Sequence, residues 1–160
     1  MWIELSVPQL IAVNCVGIPL AHLFVSWAVT RLPSRLFRED TFLFRRRGWE
    51  REGRVYEDSF RVRRWKRYLP DAAPWFRGES KKHIETTDGI SLRNFVSETR
   101  RGELAHWLQM LLIFGFVTWN PYPATWVIVV YALLSNLPCI VSLRHTRHRM
   151  MRILRKRRQQ

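Results

Sequence analysis

Apolar residues along the 160-residue chain are gathered into blocks separated by heavily charged stretches. Residues 5–29 (LSVPQLIAVNCVGIPLAHLFVSWAV) contain no Asp, Glu, Lys or Arg and exceed the ~20 residues with which a helix crosses a hydrocarbon core. A second uncharged block covers 104–119 (LAHWLQMLLIFGFVTW), with Trp107 and Trp119 near its ends, as aromatic anchors at headgroup level are placed. A third covers 124–143 (ATWVIVVYALLSNLPCIVSL) and is again full length. The pattern predicts a mainly α integral membrane protein, a single membrane domain over 1–160. Its three transmembrane helices lie at about 5–29, 104–119 and 124–143, with a cytoplasmic loop 30–103 and a basic cytoplasmic tail 144–160. For the last two blocks the alternative is a hairpin that only dips into the bilayer.

The loop is too long for a connector, and apolar residues are distributed through it, among them Phe37, Phe44, Trp49, Tyr56 and Trp65. It reads as a membrane-apposed subdomain, since long loops kept in compact proteins are usually functional. Pro33 stops the first helix, and Gly48 and Gly53 bracket a turn. From Phe60 to Lys66 the first half alternates at period two, which predicts a short strand or extended segment, with a helix as the alternative. Residues 70–90, carrying Pro70, Pro74, Gly78 and Gly89, read as irregular. From Ser91, a possible cap, Leu92, Phe95 and Val96 recur at helical spacing; Gly102 is the one weak point before the second apolar block, so one long helix can rise into the membrane.

Charge placement sets the orientation. The chain has 27 Lys and Arg against 13 Asp and Glu, a net charge of +14. No basic residue precedes Arg31; all lie between Arg31 and Arg101 or from Arg144 onward. The bias of basic residues toward the cytoplasmic side therefore puts the loop and tail inside and the N-terminus outside, a multi-pass cell-membrane topology. A cleaved signal peptide ending near Ser26-Trp27-Ala28 is the competing reading of the first block; Glu4 stands where its basic region belongs. In a soluble protein this charge would point to nucleic acid. Beside a bilayer it points to anionic lipid, at about 1 kcal/mol per basic residue near the surface. The tail, with Met150, Met151, Ile153 and Leu154 among arginines, suits an interfacial helix or a solvated charge cluster. Cys15 and Cys139 lie in apolar blocks and form no zinc or disulfide framework.

The densest polar group is Glu98-Thr99-Arg100-Arg101-Gly102-Glu103-Leu104-Ala105-His106-Trp107, at the entrance of the second block. On a helix His106 falls about 80° and Glu103 about 140° from Glu98, so the three share one broad face with Arg101. Ionisable groups at membrane depth are functional hypotheses by default. A carboxylate here can orient His106 as a base, giving His106, Glu103 and Glu98 as catalytic candidates. The competing reading pairs Glu98 and Glu103 with Arg100, Arg101 or tail arginines. A di-metal site would need a second Glu-x-x-His motif, which the chain lacks. His83 and Asp88 match the H-x4-D spacing of glycerolipid acyltransferases, a two-residue signal. Arg63, Arg64, Trp65 and Lys66, with Arg67, form a basic-aromatic cluster suited to phosphates or to simple bilayer attachment, and Lys81 and Lys82 can add to it. Asn136 and Pro138 interrupt the third block, so their face turns inward; Asn14 and His22 do the same by bonding helix to helix. Arg101 and Asn136 join Arg63, Arg64, Trp65 and Lys66 as substrate-binding candidates.

Thr30-Arg31-Leu32-Pro33, the Val62-Arg63-Arg64-Trp65-Lys66 block followed by Asp71, Glu98-Thr99-Arg100-Arg101-x-Glu103-Leu104-x-His106-Trp107, and Asn136-Leu137-Pro138 with Arg144 and Arg147 beyond resemble, in order over nearly the whole chain, the glycosyl-4,4'-diaponeurosporenoate acyltransferase family. The resemblance implies a membrane O-acyltransferase that moves a fatty acyl group to a sugar hydroxyl of a glycosylated carotenoid or similar glycolipid. It implies no bound cofactor, and acyl-CoA or acyl carrier protein as donor. The alternative from another class is a non-enzymatic membrane adaptor that binds anionic lipid or a partner protein through the basic loop and tail.

Overall fold

The computed structural model describes residues 5–69 and 89–159. Helix α1 (Val7–Thr30) starts at Ser6, whose backbone N–H donates to the Gln9 side chain at 3.0 Å, and stops just before Pro33. The chain then makes a 3-10 turn at Ser34–Phe37, another at Gly48–Gly53, and two short helices, α2 (Arg54–Asp58) and α3 (Val62–Trp65). Helix α4 (Gly89–Gly115) runs without a break through Gly102, as its pattern predicts, and ends in a 3-10 turn at Phe116–Thr118. Helix α5 (Ala124–Arg158) returns beside it. No strand occurs among the described residues.

Packing explains why α4 and α5 form an antiparallel hairpin with α1 against it. Met110, Ile113 and Phe116 of the α4 arm bury against Ile128 and Ala132 of α5 and Ala21 of α1. Closer to the loop, Val25 and Val29 of α1 cluster with Phe37 and Phe44, with Leu104 and Ala105 alongside. At the other end Asn14 donates to the Asn120 amide oxygen at 2.6 Å and accepts from the Asn120 amide at 3.1 Å, tying α1 to the hairpin turn. Lower on α1, Gln109 donates to Ser26 at 2.9 Å, and the Tyr131 hydroxyl meets His22 at 3.2 Å. These are the helix-to-helix bonds expected of Asn14 and His22.

The outer faces are apolar: Ile11, Val16, Leu20 and Phe24 on α1, Leu111 (67% exposed) on α4, and Val127 and Leu134 (70%) on α5 all point away from the bundle. Contiguous exposed apolar surface on this scale marks a membrane or partner surface. Three expectations are corrected. Among the described residues two helices, α1 and α5, are long and apolar enough to cross a membrane, not three. The uncharged part of α4 from Leu104 to Gly115 rises about 18 Å at 1.5 Å per residue, short of a ~30 Å hydrocarbon core. The segment after Phe60 is not extended: Arg61 adopts a left-handed φ of 48°, which breaks the alternation and starts α3. The tail is not a separate element: α5 continues through it and buries His145, Arg147 and His148 against the loop and α4, while residues 155–158 stay exposed.

Candidate active site

Gly102 lets α4 and α5 approach closely, since a Cβ there would stand 3.1 Å from Leu143 Cδ1. One turn further along α4, half-buried His106 faces Asn136 of α5, which is fully buried. The Asn136 amide nitrogen donates to the Ala132 carbonyl at 2.9 Å and to Ser135 Oγ at 3.1 Å. Its oxygen is therefore the atom turned to His106 Nδ1, at 3.0 Å. An amide oxygen only accepts, so Nδ1 carries a proton, and in the neutral ring the lone pair is then on Nε2. That tautomer is the one a general base requires. Sequence position assigns the two residues, 30 apart, to catalysis and to substrate binding respectively; the fold brings them together.

Just outside the apolar layer lies a buried ionic network. Both oxygens of Glu103, which is fully buried, accept from arginines: Oε1 from Arg144 Nε at 2.7 Å and Oε2 from Arg147 Nη1 at 2.6 Å. Arg144 also donates to Glu50 at 2.7 Å and to the Leu43 carbonyl at 2.7 Å, so one guanidinium joins α4, α5 and the loop. Glu50 further accepts from the Tyr56 hydroxyl and from the Arg47 backbone N–H, with His148 Nε2 at 3.4 Å. Burial pushes the Glu50 carboxyl up, but Tyr56, the Arg47 N–H, Arg144 and His148 together hold it below the usual carboxylate range. Tyr56 is raised, first by burial and then by its bond to Glu50. A second tie runs through Arg100, which donates to the Phe37 and Arg38 carbonyls at 2.8 and 2.9 Å and to Asp40.

The other candidates are dispersed. Glu98 pairs with Arg101 at 3.1 Å, and Arg101 lies over the Phe37 ring and reaches the Leu32 carbonyl at 3.4 Å. Arg63 pairs loosely with Glu57 at 3.7 Å, Arg64 is exposed, and the Trp65 indole donates to the Phe60 carbonyl. Half-buried Lys66 follows in the next 3-10 turn. This cluster packs near His145, which meets Glu57 at 3.5 Å, about 13 Å along α5 from Asn136 at 1.5 Å per residue. The cluster and His106 are thus not brought together. Asp71, Lys81, Lys82, His83 and Asp88 lie outside the described residues. Glu50, Tyr56 and Asp40 were not foreseen. The one signal pointing to them is scarcity: with 13 acids among 27 bases, a carboxylate near the hairpin finds arginines on several sides.

Comparison with known proteins places these residues in context. The family model for glycosyl-4,4'-diaponeurosporenoate acyltransferase matches residues 40–156, a range that holds the network and the His106–Asn136 pair. Two relatives bearing that name, from Staphylococcus aureus strains bovine RF122 / ET3-1 and MRSA252, are each 30% identical over 127 residues, covering 79% of this chain and 76% of theirs. No solved structure matches the chain. With a family model covering most of its length and relatives aligned across more than three quarters of both sequences, the chain belongs to the glycosyl-4,4'-diaponeurosporenoate acyltransferase family.

Proposed function

We propose that this acyltransferase esterifies a sugar hydroxyl of a glycosylated carotenoid, or a similar membrane glycolipid, with a fatty acyl group delivered as a thioester from acyl-CoA or acyl carrier protein. The observation that carries the reading is the imidazole held by Asn136 where the apolar layer meets the ionic one. In this scheme His106 Nε2 takes the hydroxyl proton as the sugar oxygen attacks the thioester carbonyl. The C–O bond forms, the C–S bond breaks, and the thiolate leaves with the proton that His106 returns. Asn136 keeps the tautomer, and Glu103 fixes α4 against Arg144 and Arg147 so that His106 stays in register. In this reading α1 crosses the bilayer from an N-terminus outside, and the α4–α5 hairpin enters from the cytoplasmic side and returns to it, which keeps the loop and tail in the cytoplasm. The exposed apolar faces support this placement and give a carotenoid and an acyl chain a shared phase. Membership in an acyltransferase family supports an enzyme over the adaptor.

The test is expression in cells that make the glycosylated carotenoid, with the ester followed by mass spectrometry. Wild type is expected to form it. His106→Ala is expected to lower the rate by about 10²–10⁴, the usual worth of a general base, and Asn136→Leu to lower it less. No ester from wild type would sink the pigment acceptor. An unchanged rate with His106→Ala would remove the base while leaving the acceptor standing.

A further inference from the structure

On the cytoplasmic side, the outer halves of α4 and α5 and the turn after α1 enclose an open cleft of about 790 Å³. Val96, Met151 and Leu154 form its apolar floor, and Arg38, Arg93 and Arg158 stand at its edge. All three arginines are exposed, and none forms an ion pair among the described residues. The one carboxylate among its described lining residues, Glu98, is paired with Arg101.

Depth decides which anion this charge suits. The inner end, at Glu98 and Arg100, lies about 6–9 Å from Leu104, where the uncharged part of α4 begins. Arg93 lies about 16 Å and Arg158 about 22 Å beyond the apolar boundary, counted along α4 and α5, and a typical ~20° tilt shortens this by under about a tenth. The headgroup zone is only about 5–8 Å deep on each side. The outer arginines therefore stand past the lipid phosphates, in water. A ligand filling the cleft would have its phosphates at the aqueous end, an extended weakly polar middle on the apolar floor, and its reactive end near the membrane.

We infer that this cleft seats the phosphopantetheine arm of the acyl donor, with Arg93 and Arg158 on its phosphates and its thioester directed toward the bilayer. The inference rests on the acyl-transfer reading above. It moves donor binding from the Arg63–Lys66 cluster to the opposite side of the hairpin's cytoplasmic end. The chemistry is shared by coenzyme A and acyl carrier protein, and two arms of the test separate them.

The full chain in detergent or nanodiscs is titrated with coenzyme A, with palmitoyl-coenzyme A and with palmitoylated acyl carrier protein, by calorimetry, alongside phosphatidylglycerol vesicles. The Arg93→Gln/Arg158→Gln double variant is expected to weaken the thioester it uses about tenfold or more, as loss of two charge-assisted contacts implies, and to raise the donor KM with little change in kcat. Arg149→Gln, a loss of one charge on the opposite face of α5, is expected to change neither. Response to coenzyme A identifies the free nucleotide carrier, and response only to the acylated protein identifies the protein-borne arm. The inference is overturned if donor affinity is unchanged in the double variant, if Arg63→Gln/Arg64→Gln weakens it instead, or if wild type binds only the vesicles. Because binding is read without an acceptor, Arg93- and Arg158-dependent donor binding with no pigment ester would count against the acceptor alone.

Discussion

The two halves of the hairpin are built in opposite senses. In the half from Leu104 to Leu143, apolar side chains such as Leu111, Val127 and Leu134 face outward, while Gln109 and Asn136 face in and bond to α1 and α4, and Asn120 of the turn bonds to Asn14 of α1. In the half beyond, Glu103, Arg147 and Glu50 are buried, and the exposed surface carries arginines such as Arg149 and Arg152. The same two helices cross the boundary unbroken, so neither helix propensity nor a single hydrophobic core explains the change. Two solvents do. In hydrocarbon the outward face gains nothing from being polar, and association rests on packing and a few inward hydrogen bonds. In water the same helices are held by loop segments and by ion pairs, with His106 at the seam.

The largest expected effect follows from breaking the ionic half. Glu103→Ala leaves Arg147 buried without its carboxylate and Arg144 with Glu50 alone, a loss of about 3–5 kcal/mol, read as a fall in the denaturation midpoint in detergent. A loss under about 1 kcal/mol would mean that water reaches the pair. Acid probes the same network. Glu50 has a folded pKa below its ordinary value of 4.5, so its contribution is complete above that value and disappears as pH falls through the folded pKa. Stability measured from pH 7 downward is expected to drop below about 4.5, and Glu50→Gln to be less stable at pH 7 and flatter in that range.

Next in size is Gly53→Ala. Gly53 has φ +88°, and a Cβ there would lie 2.6 Å from His148 Cβ, so the variant is expected to lose about 1–3 kcal/mol while keeping its membrane association. In the apolar half Asn14→Ala removes the reciprocal amide pair with Asn120 and is expected to cost about 0.6–1.7 kcal/mol, the range for hydrogen bonds between membrane helices. The smallest effect belongs to the outward face: Leu111→Ala is expected to change stability by no more than about 0.5 kcal/mol. A large loss there would show that Leu111 packs against protein, not lipid.

How far the sequence revealed this follows from the range of its signals. Uncharged runs and helical spacing are local, so α1, α5 and the unbroken start of α4 were legible. So was the inward turn of Asn136, because a polar amide in an apolar run has few other places to go. The depth of α4 was not, since Trp107 and Trp119 look like anchors at two interfaces although the uncharged helix between Leu104 and Gly115 is short. Spacing also brought Glu103 and His106 together on one helix face, but it carries no information about partners on other elements. Arg144 and Glu50 reach each other across 94 positions, and His106 and Asn136 across 30. The period-two run after Phe60 misled because one left-handed residue, Arg61, is enough to convert an extended segment into a helical turn.

The most direct test of this account is a depth profile along α4. Single nitroxides at successive positions from 93 to 115, in a chain whose Cys15 and Cys139 are replaced by Ser and Ala and reconstituted in bilayers, are compared for relaxation by oxygen and by a water-soluble nickel chelate. The expected profile favours nickel at exposed Arg93 and Asn94, favours oxygen at Leu108, Leu111 and Leu112, and crosses over around His106. Outward positions on both sides of His106 that favour nickel alike would contradict the account, because the imidazole would then have no membrane boundary at which to work.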